Sequence, residues 1–280
     1  METAIRKAFF AGKFYPESKE ELEHLFHFMV KVETNKMNTE FASNRILGAI
    51  VPHAGYIYSG YHAVHVYQLL KLCSQKFETI VIINPNHTGN GTGHFNLSNA
   101  MQWETPLGKL QQDKAFLDEL DGDYNDTAHE QEHSGEVQLP FLQHFLNYSF
   151  KIVMITMNQQ NPENAMVLAN KIFQATQKTK RKILVIASSD FSHYENAETG
   201  FKKDQYLIDQ ILNFNTTECY QQVKKQHITA CGYGPIMTML EYLKLASFSP
   251  KIEILRRGHS GEVSSSNRVV DYVSFLGFEK

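Results

Sequence analysis

The sequence predicts one α/β domain over residues 1–280, built on a mostly parallel central sheet flanked by helices. Three observations predict it. Four short apolar runs, residues 46–51, 79–83, 151–157 and 182–187, carry almost no charge, as strands buried on both faces do. Segments with apolar residues at helical spacing separate these runs, an alternation that favours parallel strands joined by crossover helices. No internal repeat, low-complexity tract or linker-like stretch divides the chain.

In chain order, Arg6 to Pro16 is apolar and aromatic and is expected to pack against the body. Ser18 with Glu21 reads as a capping box opening a helix to about Val32. A polar loop over 35–44 leads to the first strand, which ends in Pro52-His53-Ala54-Gly55, and a helix follows through Leu72. The second strand ends in Asn84-Pro85-Asn86-His87, ahead of a glycine-rich loop at 89–93. Residues 99–110, with the single tryptophan Trp103, form a β excursion, and 113–120 a short helix. An acidic, turn-rich stretch to Glu132 precedes one amphipathic helix from His133 to Phe145. The third strand, 151–157, is followed by a helix with Pro162 in its first turn. The fourth runs into Ser188-Ser189-Asp190-Phe191-Ser192-His193. Helices over 200–214 and 216–225, a turn holding Cys231-Gly232, a helix to about Leu245 and two strands at 251–256 and 269–278 complete the chain.

Composition bounds the partners. With 42% hydrophobic residues, 20% charged residues and a formal net charge of -3, nothing favours nucleic acid or an anionic membrane surface. No apolar run approaches the roughly 18 residues of a spanning helix, and METAIRKAFF lacks a signal-peptide pattern. Three widely spaced cysteines suit a reducing compartment, so the expected location is the cytoplasm.

The 13 histidines carry the functional signal through their placement. In a doubly wound sheet the carboxyl ends of strands share one edge, where ligands bind. His53, His87 and the Asp190/His193 pair all follow such ends. A lone strand-end histidine is more often a hydrogen-bonding group than a ligand, but three such loops on one edge favour a site. Cys231, in a glycine-rich turn before a helix, can reach the same cleft. Two imidazoles with a thiolate or carboxylate suffice to bind zinc, iron or copper and leave room for an exogenous ligand. Asp190 and His193 could add a ligand, orient a histidine, or act as acid and base. Cys73 and Cys219 lie in helical patterns and read as small core residues. His24, His27, His62, His65, His144 and His227 read as surface or satisfied core groups. Glu132, His133 and Glu136 read first as a helix cap, with a functional role open through the histidine. No P-loop, GxGxxG, GxSxG or HExxH is present, so nucleotide binding, serine hydrolysis and zincin chemistry lack support.

Six blocks in order, covering nearly the whole chain, resemble the Memo family, the system protein B of the AmmeMemoRadiSam set. They are Ala11-Gly12-Lys13-Phe14-Tyr15-Pro16, Pro52-His53-Ala54-Gly55-Tyr56, Pro85-Asn86-His87, residues 132–141 (EHSGEVQLPF), residues 188–193 (SSDFSH), and Cys231-Gly232-Tyr233-Gly234-Pro235-Ile236. The resemblance implies a fold similar to class III extradiol ring-cleavage dioxygenases, with metal ligands at His53, His87 and Cys231. It implies Asp190 and His193 as catalytic residues of that pocket, with Glu132, His133 and Tyr56 at its rim. Iron and copper are the metals associated with the family, and zinc is a further candidate. Radical-SAM and AMMECR-type proteins are the partners it implies. Cys231 stands where those dioxygenases carry glutamate, and a softer, oxidisable thiolate disfavours ring cleavage. Asn84 replaces an expected glycine, and Ser264-Ser265-Ser266-Asn267 stands where relatives carry Gly-Asp. Two readings follow: a metal-dependent, dioxygenase-like oxidoreductase using O2 or a reactive oxygen species on a small molecule, or a non-catalytic pocket that binds a peptide or partner protein.

Overall fold

The computed structural model describes residues 4–280. A short strand β1 (Ile5–Arg6) is followed by helix α1 (Lys19–Glu33), which the Ser18 hydroxyl caps by accepting from the Glu21 N–H at 3.1 Å. Strand β2 (Arg45–Val51) feeds α2 (Tyr56–Leu72), and β3 (Thr79–Pro85) begins the next unit. Three small strands, β4 (Phe95–Leu97), β5 (Gln102–Thr105) and β6 (Gly108–Gln111), form the β excursion. Next come α3 (Lys114–Leu120), β7 (Asp123–Tyr124) and α4 (Thr127–Glu130).

The expected single helix from His133 is two pieces, α5 (His133–Glu136) and α6 (Gln138–Phe145). Pro140 has no N–H for the carbonyl four residues back, and the Val137 carbonyl is taken by the Tyr56 hydroxyl at 2.5 Å. The remaining elements are β8 (Lys151–Met157), α7 (Pro162–Thr179), β9 (Ile183–Ser188), β10 (His193–Glu195), α8 (Ala197–Leu212), α9 (Thr216–Lys225), α10 (Tyr233–Ala246), β11 (Pro250–His259) and β12 (Val269–Glu279).

The main sheet runs β10-β12-β2-β9-β3-β8-β4-β7, with β11 also on β12. Its centre, β2-β9-β3-β8, is parallel, but β12 joins β2, and β4 joins β8, in antiparallel fashion. The expected parallel centre is present, and the sheet as a whole is mixed because its flanks are antiparallel. Connection length explains the difference: residues 86–94 between β3 and β4 are too few for a crossover helix, and β11 turns back directly into β12.

Alternation along the buried strands supplies two cores. Leu47, Ile50, Val81 and Ile83 face one side, under α3, α7 and α10, whereas Ile46, Ala49, Ile80 and Ile82 face the other, under α1, α2 and α6. Both faces are thus covered, which is why the central strands read as unbroken apolar runs. Among the described residues, no helix is long and apolar enough to cross a membrane.

Candidate metal centre

The parallel strands β2, β9 and β3 lie side by side, so their carboxyl ends deliver three loops to one edge. After β2, Pro52 ends the ladder and His53 is held at 1% exposure. Its main-chain N–H donates to Asp190 Oδ1 at 2.7 Å. Its Nδ1 lies 2.8 Å from Ser188 Oγ, whose own hydroxyl donates to the Ser134 carbonyl at 2.7 Å. Ser188 Oγ must therefore accept from His53, so Nδ1 carries the proton and Nε2 presents a lone pair.

His87 is arranged in the same way by a different partner. Glu132 Oε2 accepts its main-chain N–H at 2.6 Å, and Oε1 accepts Nδ1–H at 2.9 Å. Glu132 is itself buried at 2% exposure and caps α5, taking the Ser134 N–H at 3.0 Å and hydroxyl at 2.6 Å. Burial alone would raise its pKa, yet the hydrogen bond and charge of His87 hold the carboxyl down at about 2. For His87, burial presses the pKa down, but the Glu132 bond and charge outweigh it and raise the value.

His133 completes a cluster. One ligand atom from each of His53, His87 and His133 lies within 4.8 Å of the others. The His133 ring stacks on His87 with centroids 4.8 Å apart, and Phe14 covers its far side at 4.4 Å. Burial pushes His133 down to about 4, and burial also lowers His53 well below its usual value. Both rings are consequently neutral at pH 7, the form that ligates metals.

Cys231 closes the fourth side, with Sγ 3.0 Å from His53 Nε2. Burial raises its thiol well above the ordinary value, reinforced by the charge of Asp190. Gly232 makes the position attainable: a Cβ there would lie 2.3 Å from the Ser188 carbonyl oxygen. Asp190, 4% exposed, has Oδ2 4.0 Å from His53 Nε2, and burial raises its pKa. His193 donates Nδ1–H to the Thr229 carbonyl at 3.0 Å, which leaves Nε2 free. Its charge acts on both His53 and Asp190.

Two sequence expectations place differently. Tyr56, expected at the rim, is 1% exposed, with its ring among Tyr15, Phe26 and Phe141 and its hydroxyl on the Val137 carbonyl. The helical register turns this first residue of α2 into the core. His133 and Glu132, also expected at the rim, stand within the cluster and directly behind His87. Phe10 and Phe14 form an unforeseen aromatic wall. They are moored because Glu136, fully buried, forms an ion pair with Arg6 and accepts the Phe10 N–H at 2.9 Å and the Tyr15 hydroxyl at 2.5 Å.

Gln138 was also missed. Its Nε2 donates to the Pro52 carbonyl at 3.1 Å and Ser188 Oγ at 2.9 Å, and its Oε1 accepts from the Tyr67 hydroxyl at 2.5 Å. A polar side chain in the apolar run 137–142 was the available signal. The loop bearing Asp190 and His193 rests on two buried aspartates. Asp204 takes the Ser192 N–H at 3.2 Å and hydroxyl at 2.7 Å, while Asp271 pairs with Phe191 and Ser192 through its main chain. Burial and the adjacent Asp204 push the Asp271 carboxyl up to about 8.

The three imidazoles are placed so that they could hold a metal ion. The inward nitrogens of His53 and His87 converge while their outer nitrogens are already committed, the arrangement that fixes metal-binding imidazoles.

A family model described as Memo-like protein matches residues 6–276. A MEMO1 family protein of Methanococcoides burtonii is 37% identical over 279 residues, spanning 97% of this chain and 99% of that one. One from Methanocaldococcus jannaschii is 38% identical over 285 residues, spanning 97% and 98%. One from Sulfolobus acidocaldarius is 40% identical over 238 residues, spanning 83% and 82%. Among solved structures, an uncharacterized protein of Escherichia coli K12 overlaps 82% of this chain and 99% of its own at a TM-score of 0.48, with 11% identity.

Proposed function

The chain belongs to the Memo family, and from that premise we propose that it binds one redox-active metal ion, iron or copper, and performs oxidoreductase chemistry on a small molecule. His53 and His87 would hold the ion through their inward nitrogens, Cys231 would supply a thiolate once the ion displaces its thiol proton, and His133 would offer a further imidazole. The observation that carries this reading is that the outer nitrogens of His53 and His87 are already committed to protein partners. Ser188 fixes His53 and Glu132 fixes His87, and the third ring lies within 4.8 Å.

A bound iron or copper ion would supply electron exchange with O2 or another oxidant at an open coordination position. The chain's own residues supply the rest. Phe10 and Phe14 exclude water from the His133 side. His193, with Nδ1 fixed on a carbonyl, takes or returns a proton at Nε2. Asp190 binds the His53 main chain and holds the turn in place.

The test is elemental analysis of protein purified anaerobically without a metal-binding tag, beside His53→Ala, His87→Ala, His133→Ala and Cys231→Ser. Near-stoichiometric iron or copper that falls in the His53 and His87 variants is the expected result. Retention of metal in Cys231→Ser with loss in His133→Ala would assign the third position to His133. A wild type that takes up no metal on reloading would defeat the proposal and leave a pocket for a peptide or partner protein.

A further inference from the structure

At the sheet edge opposite the histidines, the starts of β2 and β9 and the loop into β3 border a cavity of about 670 Å³. Its charged lining has one sign. Arg45, Lys76, Arg181 and Lys182 face it, and among the described residues no carboxylate lines it, in a chain whose formal net charge is -3. Ser74 and Thr176 add hydroxyls.

The two arginines are braced from outside the lining. Arg45 Nη1 lies 2.6 Å from Glu279 Oε2. Arg181 Nε lies 3.2 Å from the fully buried Asp113, and its Nη1 lies 3.4 Å from Glu78. These carboxylates offset part of each arginine's charge and leave other N–H donors unused, since a guanidinium carries five. Lys76 approaches only the Tyr148 ring, at 5.8 Å, and among the described residues neither it nor Lys182 has a carboxylate partner. A solvated basic surface would spread its charges over convex ground; here four surround one concavity of the size small-molecule sites have.

We propose that this cavity is a binding site for a small molecule bearing a diphosphate. Two lysines without a carboxylate partner, beside two arginines with spare forked donors, match a multiply charged anion with forked oxygens better than a single carboxylate. The volume exceeds what a diphosphate fills, so the remainder would receive the body of the ligand. The site stands independently of the metal centre, being built from the opposite ends of the same strands.

Isothermal titration of chelator-treated, full-length protein with pyrophosphate at low salt tests this, with citrate as a carboxylate of comparable charge. One saturable site is expected, weaker for citrate. Lys76→Gln/Lys182→Gln should weaken pyrophosphate binding by about tenfold or more, as loss of charge-assisted contacts does. His87→Ala should leave it unchanged. Both lysines are exposed and, among the described residues, their side chains form no ion pair, so the double variant should keep its melting temperature. No saturable binding by the wild type, equal affinity in the double variant, equal affinity for citrate, or loss in His87→Ala would each overturn the proposal.

Discussion

Replacing Glu132 with glutamine keeps the side-chain shape but removes one acceptor oxygen and the charge. Four donors converge on this carboxylate: the His87 N–H at 2.6 Å, His87 Nδ1 at 2.9 Å, the Ser134 N–H at 3.0 Å and the Ser134 hydroxyl at 2.6 Å. Three of them share Oε1, so the amide nitrogen is best tolerated at Oε2, where it faces the His87 N–H. One partly buried main-chain donor is then orphaned, at a cost of about 1 kcal/mol, the low end for an unmet donor. With a urea m-value of about 3 kcal/mol/M, the unfolding midpoint of the metal-free protein should fall by about 0.3 M. The remaining bond to Nδ1 loses its charge assistance, and His87 is less firmly oriented. Metal affinity, measured by competition with a chromophoric chelator, should fall by about ten- to a hundredfold. An unchanged midpoint together with unchanged affinity would refute the claim that Glu132 sets the imidazole, and would return it to the role of a helix cap.

Three further outcomes follow from the same geometry. Gly232→Ala places a methyl 2.3 Å from the Ser188 carbonyl oxygen, so the Cys231 turn must shift; about 1–3 kcal/mol of stability should be lost, with weaker metal binding, as read by urea unfolding and chelator competition. Tyr67→Phe strips the buried Gln138 Oε1 of its donor and should cost about 1–3 kcal/mol in the same unfolding assay; no measurable change would remove Gln138 as a structural clamp. Asp271 has a folded-state value of about 8 against an ordinary 3.8, so the folded protein holds an extra proton between those limits. The stability due to this group is therefore full below pH 4 and declines as pH rises towards 8. Asp271→Asn should flatten that decline in unfolding curves collected from pH 5 to 9, and an equally steep decline in the variant would count against the buried acid pair.

How much of this was legible depends on what each signal reports. The central strands were readable because burial on both faces leaves no polar position, and α1 because Ser18 and Glu21 advertise their cap. The convergence of His53, His87 and Asp190 was readable because parallel strands must send their carboxyl ends to one edge. What a linear pattern does not carry is direction. Tyr56 and His53 lie three residues apart in one motif, yet the first turn of α2 rotates Tyr56 inward among aromatic rings. His133 looked like part of a helix start, and it is one. Only the break at Val137 and the mooring of Glu136 by Arg6 and Tyr15 bring its ring against His87. The antiparallel flanks were hidden for a related reason, since they follow from short connections rather than from the strands themselves.

The polar residues behind the rings share one property: they touch histidines or main chain rather than the space where a ligand would sit. Ser188, Gln138 and Glu132 together use their hydrogen-bonding capacity to fix two imidazoles, and each is buried, so an unmet bond has no water to turn to. Ser188 alone joins three segments, accepting from His53 and Gln138 while donating to the Ser134 carbonyl. The Ser134 hydroxyl in turn donates to Glu132, which holds His87. His53 and His87, on strands separated by β9, are thus connected through an unbroken chain of bonds that includes no ligand atom. Such a chain keeps the inward nitrogens aimed before anything binds, so association need not supply the cost of ordering them. It also means that substitutions behind the rings should disturb binding nearly as much as substitutions of the rings, while leaving the histidines themselves in the sequence.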